Sequence, residues 1–573
     1  MQILMDLLDT ANGVLWHEYT LFFLLGVGVL FTVWSGFCQY RALTHGSTVI
    51  AGKYDDKNDP GAINHFQALS AALSATVGLG NIAGVSLAIA VGGPGAVFWM
   101  WMVGIVGMAL KTTEVTLSML YRNTEDPENP HGGPMWVAKR GFAAMGPGFA
   151  PVGSFIGGIF CVTLLVSTIT GGNMFQAWNV GGVTEKDFGV PPILSGIVMA
   201  VIVGVVIIGG IKRIGSVAGR LVPLMCAIYL LAAIFVVIVK RDEVPGMLAL
   251  IFRSAFNPLE AQGAFVGGTF GYALAWGMKR ALFSSEAGQG SSPIAHSAAK
   301  TDEPVREGVV AGLEPFIDTI VVCTLTALVV LCTGAWNREP NSKLAEAPQI
   351  TQGDRRGTWQ VEPIPLPSPE QTEDGWQAGT DMIFLVAKGD LNKGTGSRAK
   401  RIMGTVTYDR QASQYTAVWS PMTSEVEPEF VVEADGGIGI YRDYPGAALT
   451  SYAFNRVQPG LGKWLVTTAA WLFAISTMIS WSYYGEQGVV YLMGERAVLP
   501  YKAVYCLLII AACWPGFITT DAALDTISAF GTGVMLFANI PIMLIFGHQA
   551  MRAYHDYFRR LRDGTLDQGG VPK

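Results

Sequence analysis

Residues 74–85 read SATVGLGNIAGV and lie in a segment long and apolar enough to cross a bilayer. Gly78 and Gly80 are poor helix formers and Asn81 is polar, which predicts a break in the helix. Non-helical backbone survives at membrane depth only where it is buried in protein or lines a wet cavity. In secondary transporters such a break presents amide groups to an anionic substrate group and carbonyl oxygens to Na⁺. Tight helix packing is the alternative reason for small residues here.

A second break is predicted in the segment GTFGYALAWGMKRALFSSEAGQGSSP, where Gly271 and Gly277 interrupt an apolar run and Lys279 and Arg280 follow. Charges within a span usually face the protein interior or water. With the 66–91 span as the first core helix, this segment is the sixth. Ten core helices broken at the first and the sixth fit two inverted five-helix repeats with the site between them. The pair of breaks favours a carrier over a channel.

The composition is that of a polytopic membrane protein. Of 573 residues, 51% are hydrophobic and 14% are charged, against about 25% charged in soluble domains. All seven cysteines fall in apolar segments and are interpreted as buried apolar residues rather than a disulfide framework. The sequence predicts about eleven transmembrane helices, at 17–37, 66–91, 94–121, 151–179, 193–211, 217–240, 262–285, 308–335, 463–493, 499–519 and 526–549.

The predicted domains follow from these spans and from one polar block. Residues 337–447 begin with a Pro-rich run and continue in alternating patterns such as DMIFLVAKG and GTVTYDRQASQYTAVWS, which predict a small β-rich insertion outside the membrane. The sequence does not indicate a function for this insertion. The predicted organisation is a peripheral N-terminal helix at 1–45, core at 60–336, the insertion at 337–447, core at 455–550 and a tail at 551–573.

The distribution of basic residues predicts the orientation. No Lys or Arg precedes the first span, so this span is expected to be a retained helix rather than a secretory signal. With the N-terminus outside, the short outer loops hold only Lys186, Lys240, Arg241 and Arg253, and most other basic residues fall inside. This predicts a cytoplasmic C-terminus in a bacterial plasma (inner) membrane, with the insertion periplasmic in a bacterium that has two membranes.

Four stretches together resemble the sodium:alanine (alanine or glycine:cation) symporter family. They are VGLGNIAGVSLAIAVGGPGAVFWMW, GNMFQAWN at 172–179, LFSSEAGQGSSPIAHSAA at 282–299 and FAISTMISWSYYGE at 473–486. The resemblance covers the membrane part and not the insertion. It implies an all-α LeuT-type fold of five plus five helices with one extra N-terminal helix. It also implies Na⁺-coupled uptake of small neutral amino acids, chiefly alanine or glycine, by alternating access.

The resemblance also implies where the ligands bind. In LeuT-type folds the unwound first core helix holds the substrate carboxylate, and the positions that match here are Thr76, Gly78, Leu79, Gly80 and Asn81. The Na⁺ site of that fold combines carbonyls of the first helix with hydroxyls of the eighth. The matching residues are Ser74, Val77, Ser476 and Thr477, although adjacent Ser and Thr also bond back to their own helix in many proteins.

Other polar and aromatic residues complete the predicted pocket. Gln176 is an amide in an apolar span and must find partners, as a bridge between helices or as a substrate ligand. Thr477 and Trp481 share one helix face, and Trp276 and Gly277 flank the predicted second break. All four are predicted to contact substrate, with the rings limiting side-chain size, although most of the fifteen Trp must be lipid-belt or core residues.

Several residues leave alternatives open. Leu79 stands where many members of the family have Thr, so a missing hydroxyl leaves substrate choice and ion stoichiometry open. Lys111 and Glu114 are interpreted as a partly buried ion pair or a snorkelling lysine. Glu286 and Arg280 are candidates for an inner gate, and His296 is interpreted as structural.

Two other functions are weighed against the symporter. A proton-coupled carrier of the same fold would need an ionisable group near the site; the sequence shows none at the first break, and Lys279 is the nearest candidate in the sixth core helix. A membrane-embedded hydrolase would need a nucleophile and base, or a metal set, within hydrogen-bond reach; no HExxH motif or paired intramembrane Asp motif occurs. The expected partners are therefore Na⁺, a small neutral amino acid and membrane lipid, with no nucleic acid and no protein partner.

Overall fold

The computed structural model describes the chain except residues 1, 57, 258–262, 268–269, 354, 370–374, 380, 392–396, 519–520 and 567–573. Helices form the bulk of the described chain. They are α1 Gln2–Leu15, α2 Glu18–Trp34, α3 Cys38–Arg41, α4 Ser47–Ile50, α5 His65–Thr76, α6 Val85–Gly92, α7 Gly95–Tyr121, α8 Pro134–Met145, α9 Ala150–Ile169, α10 Phe175–Phe188, α11 Pro192–Ile207, α12 Gly210–Val239, α13 Val244–Ser254, α14 Phe270–Ser285, α15 Ser292–His296, α16 Pro304–Ala311, α17 Thr324–Cys332, α18 Ala447–Asn455, α19 Leu461–Met493, α20 Val498–Ala512 and α21 Asp521–Arg562.

Short π-helical turns interrupt several of these helices where a wider turn lets backbone and side chains face the interior. They lie at Ala42–Gly46, Gly80–Gly84, Thr170–Met174 and Phe316–Cys323. Such π turns occur frequently at functional sites. The turns at 80–84 and 316–323 contact each other, and both contact α14.

The structure contains apolar helices that can span a membrane, as the sequence predicts. Fewer than eleven of the described helices are long enough to do so. Six described helices are long and apolar enough to cross a membrane, or up to eight if each bent pair counts as one span. The bent pairs are Met5–Leu15 with Glu18–Trp34 and His65–Thr76 with Gly80–Gly92. Three predicted spans hold helices of 15 or 16 residues, α11, α14 and α20. Parts of the predicted spans 262–285 and 499–519 lie outside the described residues.

The predicted interruption of the sixth core helix at Gly271 and Gly277 is wrong. α14 is continuous from Phe270 to Ser285. A Cβ on Gly277 would lie 2.2 Å from the Ala96 carbonyl oxygen, so this glycine serves the close packing of α14 on α7. The chain instead leaves the helix after Ser285, where Glu286 has φ 51° before α15 begins.

Residues 342–442 form antiparallel sheets. Their strands are β1 Ser342–Leu344, β2 Ile350–Gln352, β3 Thr358–Val361, β4 Ile364–Pro365, β5 Met382–Lys388, β6 Ala399–Asp409, β7 Gln414–Trp419, β8 Met422–Thr423, β9 Glu429–Phe430 and β10 Ile438–Arg442. The larger sheet has the order β1-β10-β5-β6-β7-β4 with β9 beside β5, and β2-β3-β8 form the smaller one. Residues that alternate along the strands and point inward form a hydrophobic core within residues 342–442, separate from that of the helices.

Two arginines attach these strands to the helical bundle. The Arg401 guanidinium donates to the Ala264 carbonyl oxygen at 2.8 Å and lies over the Phe384 ring, 4.4 Å from its centroid. Arg338 donates to the Arg442 carbonyl oxygen at 2.7 Å. Burial lowers the pKa of Arg338 to about 10, so it stays charged at neutral pH. We call the end of the bundle that bears residues 337–447 the insertion end.

Candidate functional site

The first core helix breaks where the sequence predicts. α5 begins in a capping box, in which Asn64 Oδ1 accepts the Gln67 amide and Gln67 Oε1 accepts the Asn64 amide. The helix ends at Thr76, because Val77 adopts an extended ψ of 92°. The axis turns by 52° before α6. The Gly78 amide donates to Asn81 Oδ1 at 2.9 Å, so a side chain partners backbone that the break releases.

Oxygen atoms of α5 and α19 meet beside this break. The Ser74 carbonyl oxygen accepts hydrogen bonds from Ser476 Oγ and from Thr477 Oγ1, both at 3.2 Å. Ser74 Oγ in turn donates to the Ser476 carbonyl oxygen at 2.7 Å. All three residues are buried. Na⁺ is a hard cation and prefers oxygen ligands, so this set of a carbonyl and two hydroxyls fits it. Val77 follows Ser74 by one helical turn, and its amide donates a hydrogen bond within α5.

The break lines a cavity of about 650 Å³, whose lining reaches the insertion end at Lys186 and residues 445–448; we call that end of the lining the cavity mouth. Seven residues predicted to bind substrate or ion line it, namely Thr76, Gly78, Leu79, Gly80, Gln176, Thr477 and Trp481. Asn81 lies behind the break and is fully buried. The predicted residues of the first and eighth core helices therefore come together around one space.

Gln176 of α10 and Trp481 of α19 both line this cavity. Gln176 Nε2 donates to the Gly171 carbonyl oxygen at 3.1 Å, and its Oε1 is buried without a hydrogen-bond partner among the described residues. A buried acceptor of this kind is suited to a ligand that donates. Trp481 packs against the backbone of Gly172, since a Cβ there would lie 2.5 Å from Trp481 Cβ. Its ring therefore forms a fixed wall.

Trp276 and Gly277 lie apart from the cavity lining. The Trp276 ring packs near Lys279, with Nζ 5.8 Å from a ring centroid, and near Tyr272. Gly277 faces α7, as described above. The structure thus separates these two residues from the other predicted substrate contacts.

Sequence reasoning missed two charged residues as parts of the break, although it named Arg280 as a candidate for an inner gate. Arg280 lies within α14 and lines the cavity, although the orientation argument counted it with the inner loops. A Cβ on Gly80 would lie 2.5 Å from Arg280 Nη2, and one on Gly84 would lie 1.7 Å from Arg280 Cζ. The glycines therefore make room for a guanidinium. The statement that no ionisable group lies at the first break is wrong.

The second missed residue is Asp318, in the π turn 316–323. Its Oδ1 accepts from Asn81 Nδ2 at 2.5 Å and from Ser284 Oγ at 3.0 Å, and its Oδ2 accepts from Thr319 at 2.8 Å. The side chain is fully buried. A buried carboxylate is costly unless it is paired and hydrogen-bonded, and Asp318 has these hydrogen bonds together with the electrostatic influence of Arg280.

Of the two interpretations of Lys111, the structure supports the ion pair and excludes the snorkelling lysine. Lys111 is 0% exposed, and its Nζ lies 3.2 Å from Glu314 Oε2 and 3.8 Å from Glu114 Oε1. The signal for this site was present in the sequence. Glu307, Glu314 and Asp318 follow one another at spacings of seven and four residues, one helix face, in a segment that is otherwise apolar.

Comparison with known proteins gives the family. Residues 1–363 and 430–569 match the model of the sodium:alanine symporter family. The sodium/alanine symporter AgcS of Methanococcus maripaludis is 32% identical over 503 residues, which are 88% of this chain and 87% of that protein. In Bacillus subtilis, the "Probable sodium/glutamine symporter GlnT" is 34% identical, over 62% of this chain and 72% of that protein. The amino-acid carrier protein AlsT is 36% identical, over 57% of this chain and 66% of that protein.

The family match covers the helices on both sides of the strands and leaves out residues 364–429, which hold most of the sheet. It includes both helices that form the break site, α5 and α19, and the arginine and aspartate beside it. The protein is therefore a multi-pass membrane protein of cation-coupled amino-acid transport, and it belongs to the sodium:alanine symporter family.

Proposed function

We propose that the protein takes up small neutral amino acids such as alanine or glycine by Na⁺-coupled symport, with alternating access. The observation that supports this most directly is the meeting of the Ser74 carbonyl oxygen with the hydroxyls of Ser476 and Thr477 beside a broken helix that lines a cavity. A carrier couples two ligands when both stabilise the same arrangement of its helices. Na⁺ between α5 and α19 would hold those helices together beside the substrate.

The cavity offers a partner for each end of a zwitterion. Arg280 and the backbone at Gly78–Gly80 would face the carboxylate, since both lie on the cavity wall. The unpartnered Oε1 of Gln176 would accept from the ammonium group. Trp481 would limit the side chain. Leu79 supplies no hydroxyl, so recognition here would depend on the guanidinium and the backbone.

The proposed orientation follows the basic residues. The insertion and the cavity mouth would face outward, the C-terminal residues would lie in the cytoplasm, and the membrane would be the bacterial plasma (inner) membrane. We take the arrangement described here to be the outward-facing one, because the cavity lining reaches the insertion end.

The test is uptake of labelled alanine into proteoliposomes that contain the purified protein, with an inward Na⁺ gradient compared with an equal K⁺ gradient. Unlabelled glycine, serine and leucine serve as competitors. We expect uptake that requires Na⁺ and is inhibited by glycine but not by leucine. Uptake that is equal in Na⁺ and K⁺ would contradict the proposed coupling.

A proton-coupled carrier is the second candidate, because Asp318 is an ionisable group within hydrogen-bond distance of Asn81 at the break. The same proteoliposomes distinguish it. Alanine uptake driven by an inward proton gradient in the absence of Na⁺ would favour this candidate, and no uptake under that gradient would reject it.

Replacing Thr477 with Ala should raise the Na⁺ concentration for half-maximal uptake by about tenfold, since one oxygen ligand is worth on the order of 1.4 kcal/mol. The matched control is Thr163→Ala. The Thr163 hydroxyl bonds to carbonyl oxygens of its own helix, those of Ile159 and Phe160. An unchanged Na⁺ dependence in Thr477→Ala would remove this residue from the ion site.

Replacing Trp481 with Ala should widen the cavity and let leucine compete with alanine. The lost ring borders the cavity, and its neighbour Gly172 has no side chain to fill the space. Inhibition constants for leucine and glycine measure the change. Trp464→Ala is the control, because Trp464 lies on the same helix and is 65% exposed. If leucine still fails to compete in Trp481→Ala, the ring does not set substrate size.

A further inference from the structure

A chain of buried ionisable side chains lies at the end of the bundle opposite the cavity mouth. Its members come from four helices and one turn, and each is at most 3% exposed. They belong to α5, α7, α15, α16 and the turn that follows α16. We call them the histidine–glutamate cluster, and they are His65, Lys111, Glu114, His296, Glu307 and Glu314.

His296 is the centre of the cluster. Its Nδ1 lies 2.5 Å from Glu307 Oε1, and its Nε2 lies 2.6 Å from Glu314 Oε1. Each of these contacts needs a proton between nitrogen and oxygen. His296 therefore bridges the two glutamates only while both ring nitrogens carry a proton, or while a glutamate supplies one. If one of these protons is lost, one of the two contacts becomes a pair of facing acceptors.

The two ends of the cluster tie other helices to this bridge. His65 Nδ1 bonds to Glu307 Oε2, which joins the first half of the broken helix to α16. At the other end, Lys111 contacts Glu314 and Glu114, and Glu114 Oε2 accepts from Asn539 of α21 at 2.9 Å. The cluster therefore joins helices that must separate if this end of the cavity is to open.

The cluster has room for one more proton. If His296 and Lys111 are positive, His65 is neutral and all three glutamates are ionised, the cluster holds one net negative charge, which burial disfavours. His65 Nε2 and Glu114 Oε1 are buried without a hydrogen-bond partner among the described residues. The other titratable or charged groups that face the cluster are Arg122 and Glu286, whose charges cancel, and Tyr484, with Asp59 and Asp302 farther out beside Arg122.

We infer that the histidine–glutamate cluster is a proton-binding site that locks this end of the transporter. In the proton-loaded state His296 holds Glu307 to Glu314, and the end is closed. Loss of a proton leaves one carboxylate facing an unprotonated ring nitrogen, so His296 no longer bridges Glu307 and Glu314, and the repulsion favours opening. The inference rests on the alternating-access function proposed above, but its test requires no transport.

The test measures access to a cysteine placed beside the cluster. Ala298 is fully buried at this end, next to the segment that begins α5. Full-length Ala298→Cys protein, purified without ligand, is treated with a membrane-impermeant maleimide from about pH 6 to 10. Burial opposes protonation of His296, but the charges of Glu314 and Glu307 outweigh burial and raise the pKa of His296 to about 9, which lies within this range. Each rate is divided by that of the same protein in denaturant, which corrects for thiolate formation, and labelling of the seven native cysteines is subtracted.

We expect the corrected rate to rise about tenfold as the pH rises, which corresponds to the loss of one charge-assisted contact. His296→Gln should abolish the rise, and His65→Gln should reduce it and serve where His296→Gln does not fold. His548→Gln is the control, because His548 is exposed and bonds within its own helix. A rate independent of pH in the parent, or a rise of equal size in the His65 and His296 variants, would overturn the inference.

Failure of this inference and failure of the proposed function give different results. If the parent protein shows the pH-dependent rise but takes up no alanine, the proton lock is supported and the proposed function is contradicted. If the parent protein takes up alanine with Na⁺ but shows no rise, the proposed function is supported and the proton lock is contradicted.

Discussion

Gly80→Leu is expected to abolish alanine uptake while the protein still inserts into the membrane. The first atom of the new side chain would lie 2.5 Å from Arg280 Nη2, so the guanidinium must move. The remaining carbons would enter the cavity that the break lines. Overpacking of this kind typically costs about 1–3 kcal/mol, which a large helical bundle tolerates, whereas the ligand site does not.

The measurements for Gly80→Leu are uptake in proteoliposomes and the elution profile of the purified protein. Gly158→Leu is the matched control, because Gly158 lies in α9 and a Cβ there has no heavy atom within 4 Å. The control should transport at the parent rate. Normal uptake by a well-folded Gly80→Leu protein would show that the substrate does not approach the break.

The second large effect is expected on stability. Lys111→Met removes the only lysine in the histidine–glutamate cluster, which leaves Glu114 without its cation and Glu314 with His296 alone. Breaking a buried ion pair by removal of one partner typically costs about 3–5 kcal/mol. We therefore expect poor yield and a clearly lower midpoint of thermal unfolding in detergent, in contrast to Gly80→Leu.

Lys212→Met is the control for this variant. Lys212 also pairs with a glutamate, Glu128, but the two side chains are 58% and 64% exposed. Its unfolding midpoint should stay close to that of the parent. The double variant Lys111→Met with Glu314→Gln should recover part of the loss, since one unpaired charge disappears. Equal midpoints for Lys111→Met and Lys212→Met would show that the buried lysine contributes nothing to stability.

The sequence predicted the first break because the signal is local. Gly78, Gly80 and Asn81 oppose a helix on their own. The meeting of Ser74 with Ser476 and Thr477 joins residues about 400 positions apart, and only the family resemblance indicated it. The structure brings these donors together as that resemblance implies, and their role in binding Na⁺ stays a prediction.

The second break shows the limit of the same reasoning. Gly271 and Gly277 carry the same local signal, yet α14 is continuous there. Helix packing and ligand approach both require small residues, and only the neighbour distinguishes them. For Gly277 that neighbour is the backbone of α7.

The charged residues were harder to predict, because their partners decide their meaning. Arg280 follows Lys279 and resembles a loop residue by its position at the end of an apolar run. Its place beside Gly84 depends on how α14 packs against the broken helix. His296 was interpreted as structural for lack of nearby ligands in sequence, and its two glutamates lie 11 and 18 positions farther along the chain.

The strands at the insertion end also have a consequence for engineering. β1 and β10 are the first and last strands of this region, and they pair in register, with Ser342 opposite Ile440 and Leu344 opposite Ile438. Paired residues on antiparallel strands lie about 5 Å apart, so the chain leaves and re-enters the region at almost one point. A short hairpin turn in place of residues 345–437 would span that gap. The region can therefore be exchanged for a segment or a reporter whose two ends lie equally close together, at the loss of the Arg401 contact with Ala264.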